Sequence, residues 1–230
     1  MAVSYESLIP EIAPHLYGCP DMLIKNSIRS AVIELCEKAN VYQAELDPLT
    51  TVSGIYEYDL EAPSGTNVHK VLWVTHEGKD LEPVTSALIE QRLPKWRQTD
   101  QHGVPLYFIK QTSSLVWLAP IPATTGISST IIRAILKPTH SSSSCDNDVM
   151  NDNRDAIING ALNRLLRIPN RDWTDFKHSQ VYGALFNEAV VAAERRSRNA
   201  DTGVARTVRY GGASGAWRTR RRGRNIRNIS

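Results

Sequence analysis

The sequence lacks the patterns that mark membrane proteins, disulfide scaffolds and most enzymes. In 230 residues there are three cysteines, three methionines and three phenylalanines. Nowhere do 18 apolar residues run together, so no transmembrane helix is expected. Cys19, Cys36 and Cys145 are an odd and sparse set, which argues against a disulfide framework and for a reducing compartment. The first residues show no basic stretch followed by an apolar one, so no secretory signal is expected. Neither G-x-x-x-x-G-K-S/T nor G-x-G-x-x-G occurs, and there is no C-x-x-C or H-E-x-x-H.

The remaining chemical candidates are weak. Gly212-Ala213-Ser214-Gly215-Ala216 lacks the last glycine of a nucleophile elbow and follows no strand, so it reads as a flexible hinge. His15 and Cys19 are four apart but lie among prolines, with no second pair of ligands. Asp146, Asn147, Asp148, Asp152 and Asp155 have the composition of a calcium loop without its glycine and closing glutamate; a solvated helix N-terminus accounts for them. Cys36 falls on an apolar helix face, as a buried structural thiol does. Glu57 and Asp59 sit on the polar face of a strand. Nothing supports acid–base or nucleophilic catalysis, and no metal or cofactor is expected.

What is present is an ordinary core-forming composition, 41% hydrophobic and 22% charged, with an unusual charge layout. The net charge of +3 is an average of two unlike parts. Residues 1–194 carry 16 Lys and Arg against 23 Asp and Glu, a balance of −7. Residues 195–230 carry 11 Arg, no Lys and one acid, Asp201, a balance of +10.

Hydrophobic periodicity predicts an α+β fold. From Asp21, a candidate N-cap, Leu23, Ile24, Ile28, Ala31, Val32, Leu35, Cys36 and Ala39 recur at helical spacing. A shorter helical piece precedes them from Ser4 to Pro10. After Asp47-Pro48 the period becomes two. Strands are expected at Tyr56–Leu60, Val68–Thr75, Val104–Lys110, Leu115–Leu118 and Ser129–Leu136, with a short helix at Thr85–Leu93. The polar stretch from Pro138 to Asn153 reads as a linker. Ile157 to Leu166 forms a second amphipathic helix, stopped by Pro169. A third, capped by Asp172 or Thr174, buries Phe176, Val181, Leu185, Phe186, Ala189, Val190 and Ala193. Gly160 and Gly183 fall inside these two helices, where glycine costs about 1 kcal/mol relative to alanine; close helix approach or a tolerated defect would explain them.

The expected layout is a small bundle of amphipathic helices with an inserted antiparallel β-sheet or sandwich. Residues 1–48 form the N-terminal helical part, 49–138 the β-rich insert, 139–152 the linker, and 153–200 the C-terminal helices. Residues 201–230 form an Arg- and Gly-rich extended arm. With few apolar residues, the arm cannot bury enough surface to offset its ordering entropy. Its cations are all arginine, whose planar fork suits carboxylate or phosphate. Three readings stay open: a solubilising tail, nucleic-acid binding with Tyr210 or Trp217 stacking on bases, and docking into an acidic groove of a protein. Trp217, Ile226 and Ile229 between the arginines favour the last.

Several motifs in order are similar to those of the head-to-tail adaptor (connector or neck) proteins of tailed bacteriophages. They are Cys19-Pro20-Asp21 and Glu34-Leu35-Cys36-Glu37, then Tyr58-x-Leu60, Gly78 and Gly103-x-Pro105-x-Tyr107. Leu118-Ala119-Pro120-x-Pro122, Leu136-Lys137-Pro138 and Asn159-Gly160-Ala161-Leu162-x-x-Leu165-Leu166 follow, and then Trp173 and Phe186-Asn187-Glu188. The resemblance runs over roughly residues 5–200 and leaves the arm unmatched.

It implies a structural virion protein, made in the host cytoplasm and located in the neck between capsid and tail. Such proteins form a ring, usually of twelve copies, between the portal protein and a tail tube or nozzle protein. Viral DNA passes through the ring without sequence-specific binding. C-terminal extensions of related adaptors reach the portal. Carried to this chain, that makes Trp217, Arg218, Arg220, Arg221, Arg222, Arg224 and Arg227 the candidate portal-binding residues. The alternative is a nucleic-acid-binding protein acting through the same arm.

Overall fold

A computed structural model describes residues 2–98 and 101–199. The chain is α+β, and its first long helix behaves as its periodicity predicts. Helix α2 (Asp21–Ala39) follows a short N-terminal strand, β1 (Ala2–Ser4), a 3₁₀ turn at Tyr5–Leu8, and the single-turn α1 (Ile9–Ile12). It buries Ile24, Ile28, Ala31, Val32, Leu35, Cys36 and Ala39. Its cap position is Pro20, and Asp21 is the first helical residue, where it faces the positive helix end without bonding a backbone N–H. Asn40 ends the helix in the left-handed region (φ 52°), a conformation asparagine tolerates.

Helices α5 (Arg154–Leu166) and α6 (Phe176–Arg198) pack with α2 around one core that includes Ile28, Leu35, Ile157, Leu162, Leu165, Phe186 and Val190. Tyr5, Leu8, Ile12 and Leu16 cover its end. The cap of α6 is Asp175, not Asp172 or Thr174. An Asp175 carboxylate oxygen accepts from the His178 N–H at 2.9 Å, while the Thr174 hydroxyl donates to the Ile168 carbonyl and closes the preceding turn. Phe176, Val181 and Leu185, expected in the buried face, are exposed.

The glycines inside these helices have different reasons. A Cβ on Gly160 would lie 2.9 Å from the Phe186 ring and 3.0 Å from the Ala31 Cβ, so glycine lets three helices meet. A Cβ on Gly183 would meet only the Asn163 amide, at 3.1 Å. Arg164 stitches the same junction, donating to Glu34 and to the Gly160 carbonyl and lying over the Phe186 ring.

Between α2 and α5 the chain forms two larger sheets. In the first, β10 (Gly126–Pro138) is flanked by β2 (Gln43–Glu45) and β3 (Leu49–Thr51) on one side and by β5 (Thr66–His76) on the other. The short β6 (Lys79–Asp80) extends β5. The second runs in the order β4 (Glu57–Asp59), β9 (Leu115–Ala119), β8 (Tyr107–Lys110), β7 (Glu82–Pro83). All pairs are antiparallel except β7 with β8, which is parallel. That exception to the expected antiparallel sheet arises because helix α3 (Ser86–Arg92) lies in the connection between these strands, as a parallel crossover requires.

Val68, Val74, Ile132, Ala134 and Leu136 from the first sheet share a buried cluster with Tyr58, Phe108, Val116 and Leu118 from the second. On the second sheet's other face, Ile89 of α3 and the fully buried Trp96 pack on Ile109, Ala119 and Ile121. Thr85 caps α3 through its hydroxyl. Tyr56 sets its ring edge-on to both Trp96 and Trp117.

The stretch expected as a polar linker is built into the fold. It contains β11 (Ser144–Asp146), paired antiparallel with β1, and helix α4 (Asn147–Asp152). Asp146 caps α4, accepting from the Asp148 N–H at 3.0 Å. Cys145, Val149 and Met150 enter the helical core. With three anchors in a polar run, no hydrophobic period was visible.

Two measurements check this packing. Gly160→Ala is expected to lower stability by about 1–3 kcal/mol, because the new methyl must displace an aromatic ring inside a packed core. Gly183→Ala should be within about 0.5 kcal/mol of neutral, since the gain of roughly 1 kcal/mol in helix propensity offsets the shift of an amide. Urea denaturation at 25 °C reads both, and the reverse order would contradict the packing described.

The second concerns Tyr5, fully buried with its hydroxyl 2.9 Å from the Ser142 oxygen. Ser142 gives its own proton to the Thr139 carbonyl, so Tyr5 is the donor. Burial raises the Tyr5 phenol far above its usual value and pushes Tyr42 up to about 12. Both groups keep their protons in the fold, whereas the unfolded chain loses them near pH 10. Their stabilisation is therefore full below about pH 10 and falls as pH rises through the folded values. Tyr5→Phe is expected to cost about 1 kcal/mol at pH 7. Denaturant midpoints taken from pH 8 upward should also fall less steeply in this variant than in the parent.

Candidate functional site

Among the described residues the titratable groups are arranged for structure. No group of three or more His, Cys, Asp or Glu is placed to hold a metal ion there. The imidazole of His76 is buried against the Thr130 hydroxyl at 2.8 Å, and burial depresses its pKa. His15 meets the edge of the Tyr182 ring. Cys36 lies fully buried in the helical core, where the neighbouring Cys145 thiol and then burial raise its pKa. Glu57 accepts from the Trp117 indole N–H at 2.8 Å. No described helix is long and apolar enough to cross a membrane.

The candidate surface is instead one of contact, beginning where the last helix ends. Trp217, Arg218, Arg220, Arg221, Arg222, Arg224 and Arg227 lie outside the described residues. The structure does show the root from which their segment continues. Arg195, Arg196 and Arg198 occupy the last turn of α6, where cations face the negative helix end. The Ser197 hydroxyl donates to the Asn40 carbonyl at 2.7 Å and accepts from the Gln43 amide at 2.9 Å. Arg196 donates to the Asn153 side-chain oxygen at 2.9 Å. The end of α6 is thus tied at once to the end of α2, to β2 and to the start of α5.

Beside this root is a cleft of about 450 Å³, bordered by Tyr42, Gln43 and Ala44 and lined by Asp146, Asp148 and Asp152. Among the described residues its one cation is Arg196, already engaged by Asn153. A second cleft, of about 460 Å³, lies between β5 and β8. His69, Lys70 and Lys110 line it. The Lys110 ammonium donates to the carbonyls of Val68 and His69; burial and the charges of Lys137 and Lys70 hold its pKa below the usual lysine value. Lys137 is itself paired with Glu37 at 2.6 Å, which keeps that carboxyl below its ordinary range.

Two groups of apolar side chains also remain exposed. Phe176, Val181, Leu185 and Val191 stand along the outside of α6. Val52 and Ile55 on one loop, Val104 on a second, and Ile127 where a third loop enters β10 stand at one end of the sheets, Ile127 being 84% exposed. These loops are joined through the Gly54 N–H to the Pro122 carbonyl and the Gly103 N–H to the Ile121 carbonyl. Periodicity placed Phe176, Val181 and Leu185 in the core, so the outer face of α6 was missed. The two clefts were missed as well, because their walls come from segments remote in sequence.

These features describe a protein of contact surfaces, and comparison with known proteins accords with that description. No curated protein matches the chain. The model of the family described as SU10 adaptor protein matches residues 3–209, nearly the whole chain and all the described elements except part of β1. The chain belongs to the SU10 adaptor protein family, structural adaptor proteins of bacteriophages.

Proposed function

We propose that this chain forms a ring that joins the capsid portal to the tail, with the genome passing through, and that its arginine arm fastens the ring to the portal. The observation that carries the reading is the adaptor-family match over residues 3–209. Its polarity comes from the charge layout: a body of −7 followed by a terminal segment of +10 whose cations are all arginine. Residues 49–138 then face neighbouring copies or a tail tube or nozzle protein, and residues 201–230 act as the arm. A ring of about twelve copies would match a portal of the same symmetry.

In the arm, Arg218, Arg220, Arg221, Arg222, Arg224 and Arg227 meet carboxylates of the portal and Trp217 anchors in an apolar pocket. Charged hydrogen bonds of this kind contribute roughly 1.5–3 kcal/mol each when desolvated, and an aromatic anchor commonly contributes more than its area alone. An acidic lumen would let DNA phosphates slide past without sticking. The virion neck is the expected location, reached after synthesis in the host cytoplasm.

A second reading rests on Tyr210 and Trp217 standing among the arginines, an arrangement suited to stacking on single-stranded bases. Salt separates the two. Phosphate binding weakens log-linearly with salt in proportion to the phosphates neutralised, so the arm would shift free DNA steeply in a titration.

The direct test changes Arg220, Arg221 and Arg222 together to Glu. The variant should lose co-sedimentation with portal at physiological salt while keeping its urea midpoint. Retained co-sedimentation would show that the arm is not the anchor.

A further inference from the structure

The two clefts stand on opposite sides of one sheet and at the same level. Across the row, Gln43 of β2 pairs with Ile135 of β10, which pairs with Lys70 of β5. The next row is Ala44, Ala134 and Val71. Gln43 and Ala44 border the cleft lined by Asp146, Asp148 and Asp152, and Lys70 and Val71 border the one lined by His69 and Lys110. At these rows, the only strand that pairs with β2 or β5 among the described residues is β10. One side of the sheet therefore presents a net negative wall and the other a positive one, separated by the width of three strands.

We infer that these walls are the two halves of a contact between copies of this chain, the Lys70 side of one copy seating on the Asp152 side of the next. The inference rests on the adaptor reading only in taking a second copy as the occupant. Charge complementarity favours that occupant, because each copy carries both walls and places them back to back. Such a contact is heterologous: it repeats from copy to copy, and the rotation at each step decides whether it closes into a ring. Lys70 and Asp152 are the residues to change. Both side chains are exposed, and neither belongs to the buried clusters. The Lys70 ammonium donates to the Asn40 side-chain oxygen at 3.1 Å, a contact the fold can lose cheaply. Asp152 stands between the last turn of α4 and the start of α5, so a lysine there meets the negative end of one helix and the positive end of the next.

The test is sedimentation velocity of the full chain at a few hundred micromolar, at about 50 mM and about 500 mM salt, because screening separates ionic from apolar association. Species larger than the monomer are expected at low salt, decreasing at high salt. Lys70→Glu alone and Asp152→Lys alone should each lower the association constant at least about tenfold, provided circular dichroism and thermal midpoints match the parent. The double variant K70E/D152K restores opposite charges across the contact and should recover to within about threefold of the parent. An equal mixture of the two single variants should also associate, since their altered walls face each other and so do their native ones.

A monomeric parent at both salts would overturn the inference. So would a K70E variant that associates like the parent, which is the result expected if an arginine arm, and not the Lys70 wall, fills the acidic cleft. A double variant as weak as either single variant would overturn it too. Portal co-sedimentation of the arm variant is a separate measurement, so failure of this contact and failure of the adaptor reading are distinguishable.

Discussion

The fold depends on β10, which is paired along both edges and, towards its end, buried on both faces. Its first half behaves as a half-exposed strand, with Ile132 inward and Arg133 outward. From Ala134 to Leu136 every residue is buried, because there the strand passes between the second sheet and helix α2. A slip of one residue would exchange the faces of Ala134 and Ile135 and misplace Lys137, which is paired to Glu37 on α2. The β2, β3 and β5 registers are all referred to this strand. Helices and sheets therefore share one element and do not merely touch.

The carboxylates divide by type. Glu6, Glu11, Glu34, Glu37, Glu82, Glu90 and Glu194 each pair with a Lys or Arg, mostly near the surface, where such pairs contribute modestly. Asp146 and Asp175 instead hold helix N-termini, and backbone and imidazole donors keep the Asp175 carboxyl below its ordinary range. Much of the acidic excess of the body is thus already engaged in the fold. Asp148 and Asp152 stand out because, among the described residues, the only cation bordering their cleft, Arg196, is bonded to Asn153.

Long periodic elements were legible in the sequence and short paired ones were not. The stripe from Ile24 to Ala39 defines its helix almost to the residue, and Thr85 and Leu93 are the two ends of α3. The five expected strands all exist, with shifted ends. The strands β2, β3, β6, β7 and β11 hold two or three residues each, too few to show a period, and they exist because a remote partner offers hydrogen bonds. The failure at α6 is instructive. Its sequence allows a wider apolar stripe than α2 and α5 can cover, so Phe176, Val181 and Leu185 are left outside. For the site, charge asymmetry and family motifs pointed to assembly, yet the opposed clefts depend on a pairing between Gln43, Ile135 and Lys70 that no local pattern encodes. The arm residues lie outside the described part of the chain.

The Ser197 hydroxyl, bonded to both Asn40 and Gln43, turns the start of the C-terminal segment into a fixed mooring. From that point residues 200–230 can span at most about 110 Å if fully extended. Any partner group that residues 200–230 bind would be held within that reach of the body. A second grip on the same object becomes an intramolecular event, governed by local concentration and not by bulk supply. In the proposed ring, weak individual contacts multiplied over moored copies would then suffice for a durable joint.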